Sequence, residues 1–289
     1  MRYAIIVNPV AGETPVDEKR DIVARCASIL GPDTLVAGWD TRTADGLCDC
    51  ALELADRADV VVVAGGDGTL SDVINTVDRE TTLAYLPLGS GNAWRNTLGL
   101  PRSADKAARR IRDGKERVID LVLCDGSRKG LLASVGIEGH ALSERERLLQ
   151  QGVTGFDAYF RATTRSIFGG FKAEDAEVTI DGELHRLATA LSLVVTKTPF
   201  YGYGFKVVPG ARLTDGRLHV LLVSGDPTAA ISGLVTSLLG GNRVGLYTTC
   251  EDVSITTRQE LHLQVDGNLI REGTEFEFKI LPASLRMRY

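Results

Sequence analysis

Two rhythms of apolar and polar residues divide the chain. Up to about residue 115, short apolar runs alternate with stretches whose apolar residues recur every three to four positions. Tyr3-Ala4-Ile5-Ile6-Val7 reads as a strand that enters a turn at Asn8-Pro9-Val10-Ala11-Gly12. Residues 17–30 read as a helix ended by Gly31-Pro32, 35–39 as a strand and 44–58 as a helix. Val60-Val61-Val62-Val63-Ala64 has the unbroken apolar character of a strand buried on both faces. Leu70, Val73, Ile74 and Val77 then fall at helical spacing, residues 83–86 form another strand, and 93–98 and 104–112 form two further helices. Four β-α units predict a parallel-sheet α/β nucleotide-binding domain over residues 1–122.

After the apolar segment 118–123 the period changes to two. Val178-Thr179-Ile180 runs into Asp181-Gly182, a hairpin signal, and 191–195 and 218–223 are apolar strands. Val253, Ile255 and Thr257 alternate with polar residues, as do Leu261, Leu263 and Val265, then Phe276, Phe278 and Ile280, then Leu285, Met287 and Tyr289. This predicts an antiparallel β-sandwich over 123–289, with the last strands free to return to the first domain. Residues 141–150 read as a charged helix. The stretch 155–171 holds half of the chain's eight phenylalanines, and Phe156, Tyr159, Phe160 and Phe168 form a stripe. Its expected role is a helix face packed on the sheet; the alternative is a wall for an acyl chain.

The candidate chemistry starts where the valine strand breaks into Gly65-Gly66-Asp67-Gly68-Thr69. Glycines let the backbone turn tightly and approach a ligand. The following helix start favours an anion, and a phosphate is the natural guest. Leu88-Gly89-Ser90-Gly91-Asn92 repeats the pattern after the next strand, so two loops can converge on one ligand at the carboxyl edge of the sheet. Asn8, at the end of the first strand, reads equally as a phosphate ligand or a turn residue. Asp67 is expected to address a cation or a hydroxyl beside the phosphates rather than merely form a turn. Asp266-Gly267 and Asp215-Gly216 each read either as a turn or as a carboxylate presented to a cleft.

Composition narrows the partners. The chain has 289 residues, a net charge of −5 and a hydrophobic fraction of 44%, which suits a globular protein and gives no basic field for nucleic acid. No apolar run approaches a membrane span, and the immediate entry into a strand predicts no signal peptide and a cytoplasmic location. Five cysteines without metal or redox spacing read as reduced thiols. Arg102, Lys106, Arg109, Arg110, Arg112, Lys115 and Arg117 read as a solvated face, or as a contact to anionic lipid.

Ile6-Val7-Asn8-Pro9, Gly65-Gly66-Asp67-Gly68-Thr69, Pro87-Leu88-Gly89-Ser90-Gly91-Asn92, Leu98-Gly99-Leu100-Pro101, Tyr201-Gly202-Tyr203-Gly204, Asp215-Gly216 and Val265-Asp266-Gly267 together resemble the diacylglycerol kinase catalytic-domain family, in its bacterial lipid-kinase branch related to sphingosine kinases. The resemblance spans nearly the whole chain and implies an ATP-dependent kinase of lipid metabolism, acting on diacylglycerol or a related lipid during transient association with a membrane surface. It places ATP along Asn8, Thr41, Gly65, Gly66, Asp67, Gly68, Thr69, Leu70, Ser71, Ser90, Gly91 and Asn92. It implies a structural Mg²⁺ on the Asp215 side chain with main-chain carbonyls of Arg212 and Arg217, catalysis by Asp266 as general base with Asp67 beside the phosphates, and Asp120 in the same polar network. A homodimer is left open. Ser90, Ala93 and Asn268 stand where many members have Thr, Asp and Glu. The loss of two carboxylates keeps two alternatives in view: a kinase of a soluble acceptor such as NAD, whose family shares the first glycine loop, and a non-catalytic nucleotide- or lipid-binding protein.

Overall fold

The computed structural model describes residues 1–169, 171–225 and 228–289 in full, with helical backbone alone at 170 and 227. The chain divides into two compact units, Met1–Ile119 with Ala283–Tyr289, and Asp120–Pro282.

The first unit runs β1 (Tyr3–Val7), α1 (Val16–Leu30), β2 (Leu35–Ala37), α2 (Ala44–Ala55), β3 (Val60–Gly65), α3 (Asp67–Thr76), β4 (Thr82–Pro87), α4 (Ala93–Thr97) and α5 (Ala104–Asp113). β1 pairs in parallel with β2 and β3, and β3 with β4. Arg286 and Met287, in the returning C-terminal segment, pair in parallel with β4. Every residue of β1, β3 and β4 is buried. Alternate residues Tyr3, Ile5, Val7, Val60, Val62 and Ala84 meet Val23 and Cys26 of α1 and Ala107 and Ile111 of α5. α2 and α3 pack on β1 and β3. Helices on both faces explain why these strands carry no polar alternation. The basic residues of α5 point away from this core: Arg109, Arg110 and Arg112 are exposed while Ala107, Ala108 and Ile111 are buried.

The second unit begins within β5 (Glu116–Cys124) and continues through β6 (Arg128–Gly130), β7 (Leu132–Gly136), α6 (Ile137–Gln150), α7 (Gly155–Arg165), β8 (Glu174–Ile180), β9 (Glu183–Thr196), β10 (Phe200–Tyr201), β11 (Phe205–Lys206), β12 (Leu218–Ser224), α8 (Pro227–Leu239), β13 (Leu246–Cys250), β14 (Asp252–Val265) and the part of β15 (Asn268–Arg288) up to Pro282. Two long strands organise it. One half of β9 and of β14 pairs with β7, the other half with β8, so the four strands close a ring. A strand can serve two layers only by bending. β9 bends at Thr189, a β-branched residue at φ 49, and β14 shifts register against β15 between Thr256 and Leu261. Val135, Val178, Leu193, Val220, Ile255, Leu263, Phe276 and Phe278 fill the space enclosed.

Three expectations change here. The alternating segments 253–257 and 261–265 are one strand, because a bulge carries pairing across the polar residues between them. α8 has no counterpart among the sequence expectations, because its Gly233 and mixed β-branched composition hide the helical period. The aromatic stripe does not pack as one face: Phe156, Phe160 and Phe168 are exposed, Phe168 by 70%, while Tyr159 turns inward. Among the described residues no helix is long and apolar enough to cross a membrane.

Candidate active site

In the first unit the loops after β1, β3 and β4 meet at the carboxyl edge of the sheet. Their glycines are there because the backbones touch. A Cβ on Gly89 would lie 2.4 Å from the Gly66 Cα, and one on Gly12, at φ 69, would lie 2.3 Å from the Leu88 carbonyl oxygen. Leu88 and Gly89 donate their N–H groups to the Gly65 carbonyl at 2.9 and 3.0 Å. Asn8 donates from Nδ2 to Thr69 Oγ1 at 2.9 Å, and its Oδ1 accepts from the Val10 N–H. Asn92, in the left-handed region at φ 49, accepts from the Tyr85 hydroxyl and donates to the Gly89 carbonyl. Thr41 closes the loop after β2 by donating to the Gly38 carbonyl.

Asp67 stands at the first position of α3, but its carboxylate turns to the neighbouring loop. Oδ2 accepts from the Ala93 N–H at 2.8 Å and Oδ1 from the Trp94 N–H at 3.0 Å. It thereby caps α4, whose own N-cap Asn92 makes no side-chain cap. Burial raises the Asp67 pKa, outweighing the hydrogen bonds that favour the ion. Nothing in the local sequence pattern marks Lys19. Its side chain is buried, and Nζ donates to the Pro9 and Ala11 carbonyls at 2.6 and 2.8 Å, fixing the loop after β1. Burial lowers its pKa.

In the second unit, Asp266-Gly267 is a two-residue hairpin between β14 and β15, with both residues at positive φ and Val265 opposite Asn268. The carboxylate of Asp266 folds back onto the start of β7. Oδ1 accepts from the Leu132 N–H at 2.9 Å, and both oxygens lie 3.1 Å from the Leu131 nitrogen. The residue is 9% exposed.

Asp215 sits in a different network. Its Oδ1 accepts from Lys197 Nζ at 2.6 Å, and Oδ2 lies 2.9 Å from His219 Nε2, while His219 Nδ1 is 2.7 Å from the Tyr247 hydroxyl. Lys197 Nζ also donates to the Arg217 carbonyl at 2.6 Å and lies 3.1 Å from Asp120 Oδ2. Asp120 belongs to this network: its Oδ2 accepts from the Gly216 N–H and its own N–H donates to the Leu213 carbonyl. The Mg²⁺ expected on Asp215, Arg212 and Arg217 does not fit this arrangement. Two of its three donors, the Asp215 carboxylate and the Arg217 carbonyl, already hold an ammonium. Among the described residues no group of three or more His, Cys, Asp or Glu side chains is arranged to hold a metal.

The second unit also forms a partly open pocket of about 130 Å³, lined mainly by apolar side chains from α6, α8, β9 and β12 and from α7 and the turn after it, among them Leu142, Ile167, Val194, Leu221 and Leu234. Glu138 and Ser192 supply polar groups to it, the Ser192 hydroxyl lying 2.7 and 2.8 Å from the two carboxyl oxygens. Sequence reading missed Glu138, although a carboxylate just inside an apolar run is an available signal. Burial pushes its pKa from 4.5 up to about 7. The unfolded chain therefore loses this proton first. Stability from the group is full below about pH 4.5 and is lost as pH rises through 7, a change of about 2–3 kcal/mol for a half-buried carboxyl. Glu138→Gln is expected to match the parent at pH 4 and to exceed it at pH 8. Denaturant titrations at both pH values read the difference, and equal stabilities at pH 8 would count against the buried acid.

Residues 2–124 match the diacylglycerol kinase catalytic domain family, and residues 133–288 match the YegS C-terminal NAD kinase beta sandwich-like domain. The chain is 25% identical over 280 residues to a diacylglycerol kinase of Bacillus subtilis, covering 92% of this chain and 89% of the relative. A crystal structure of a diacylglycerol kinase from Bacillus anthracis superposes with a TM-score of 0.73 at 20% identity, covering 100% and 96% of the two chains. An NAD kinase from Archaeoglobus fulgidus, solved in complex with ATP, shares the fold more distantly, with a TM-score of 0.53, 14% identity, and 100% and 94% coverage.

Proposed function

The chain belongs to the diacylglycerol kinase catalytic-domain family, and on that premise we propose that it transfers the γ-phosphoryl group of ATP to a hydroxyl of diacylglycerol or a related lipid. The observation that carries the acceptor class is the apolar pocket of the second unit, with Glu138 and Ser192 as polar groups in its wall. An acyl chain removes apolar surface from water there, worth about 25 cal/mol per Å². The Glu138 and Ser192 pair addresses the polar end of the lipid. α7 and α8 both line this pocket and both carry exposed apolar residues, Phe156 and Phe160 on one and Val235, Leu238 and Leu239 on the other. That suits a protein that collects its substrate from a membrane surface.

The nucleotide phosphates lie along Asn8, Thr41, Gly65, Gly66, Gly68, Thr69, Leu70, Ser71, Ser90, Gly91 and Asn92, with the magnesium ion arriving on ATP as part of the substrate. Asp67 holds the two glycine loops in register through the Ala93 and Trp94 N–H groups. Asp266 accepts the proton of the lipid hydroxyl, its carboxylate aimed by the backbone of Leu131 and Leu132. Such catalysis rests on positioning and electrostatics.

The likeness to NAD kinase favours a second reading, phosphorylation of a soluble acceptor. One experiment separates the two: transfer of labelled γ-phosphate from magnesium ATP into mixed micelles of diacylglycerol and sphingoid bases, beside a reaction with NAD. Labelled lipid is the expected product. Labelled NADP without labelled lipid would establish the second reading. ATP binding without any product would overturn both and point to Ala93 and Asn268, where carboxylates are missing.

A further inference from the structure

The Lys197 side chain is completely buried, although lysine is among the residues least often found inside a protein. Its surroundings account for it. Nζ is within 2.6 Å of Asp215 Oδ1, 2.6 Å of the Arg217 carbonyl oxygen and 3.1 Å of Asp120 Oδ2. An ammonium has three N–H donors, and here three oxygens receive them. The same oxygens define the shape of the 212–217 loop. Gly216, at φ 69, turns the chain so that its N–H reaches Asp120 Oδ2 at 2.8 Å. The Arg217 N–H approaches Asp215 Oδ1 at 3.3 Å. Asp120 N–H holds the Leu213 carbonyl at 2.8 Å. His219 covers the remaining Asp215 oxygen.

Two carboxylates and a carbonyl converge on the buried Lys197 ammonium, Asp120 from the interior and Asp215 from a side chain that is 29% exposed, and a cation between them offsets the repulsion of like charges at short range. Magnesium would meet that need with six oxygens at about 2.0–2.1 Å. Lysine meets it with longer hydrogen bonds and a charge that is covalently part of the chain. The two cannot share the point: a divalent ion bound to Asp215 Oδ1 and the Arg217 carbonyl would sit against the ammonium.

We infer that Lys197 is a built-in cation that does the structural work of a bound divalent ion, so that this loop folds and holds its shape without metal. The inference concerns the second unit's own architecture and stands apart from the choice of phosphoryl acceptor.

The test uses the full chain without nucleotide. Manganese, followed by its EPR signal, is titrated into the parent protein, and melting temperature is recorded in EDTA and in millimolar magnesium. The parent is expected to bind no tight manganese and to melt at the same temperature in both buffers. Lys197→Met removes the charge and leaves the oxygens. In EDTA it is expected to melt about 10 °C lower, as removal of one partner from a buried pair does. It is also expected to bind one manganese per chain and to recover most of the lost temperature in magnesium. If Lys197→Met folds only when a divalent ion is present, the inference gains the same support. A parent chain that binds one tight manganese, abolished by Asp215→Ala, would overturn it. So would a Lys197→Met protein that neither binds manganese nor responds to magnesium. Phosphoryl transfer enters none of these readings, so they stay distinguishable from the kinase assay.

Discussion

Asp266→Asn is expected to lower turnover by about 10²–10⁴-fold while leaving ATP affinity nearly unchanged, the range over which a positioned general base contributes. The substitution is close to isosteric. Oδ1 remains to accept from Leu132 and Leu131, so the hairpin and the start of β7 keep their principal tie. The proton acceptor is what disappears. Because Asp266 belongs to the second unit, nucleotide held by the glycine loops of the first should bind as before. Steady-state kinetics with saturating lipid, together with binding of a fluorescent ATP analogue, read the two quantities separately. Turnover within a few-fold of the parent would remove Asp266 from the proton transfer and leave it as a turn residue.

Replacement of Asp67 has the next largest expected effect, for a different reason. Asp67→Ala leaves the Ala93 and Trp94 N–H groups without their acceptor at the start of α4. An orphaned donor costs about 1–3 kcal/mol, and at this half-buried position the pair should cost about 2 kcal/mol together. That corresponds to a fall of about 4–8 °C in melting temperature. With the cap gone, the Ser90-Gly91-Asn92 loop loses its anchor to α3, and ATP affinity should drop tenfold or more. Asp67→Asn tests the cause. It keeps an acceptor oxygen and removes the charge that burial penalises, so it should be milder than Ala in both stability and affinity. If Asn proved as damaging as Ala, the charge itself, acting on the nucleotide or its ion, would be the reason for the residue.

Much of the scaffold could be read from local pattern. The buried valine strand, the glycine loop and the helix after it were visible within a dozen residues, since a period of two or 3.6 and a glycine at a turn are local properties. The hairpin at Asp266-Gly267 was equally legible, because positive φ at both positions is a preference of those two residue types. The glycine-loop positions are gathered at one sheet edge in the structure, where Gly66 and Gly89 come into backbone contact.

What each charged side chain holds could not be read in that way. Local pattern is enough for the alternation of helices and strands up to residue 113, the change to β-structure after it, and the turns where glycine is required. The tertiary structure decided that Asp67 caps a helix 26 residues ahead, that Asp266 reaches back 135 residues to Leu131, and that Lys197 lies between Asp120 and Asp215. It also decided that Phe156 and Phe160 face outward while Tyr159 lines a pocket. Strand formation depends on neighbours in sequence. The partner of a buried charge depends on strand register and chain crossing, which bring remote residues within 3 Å and leave no trace in any local window.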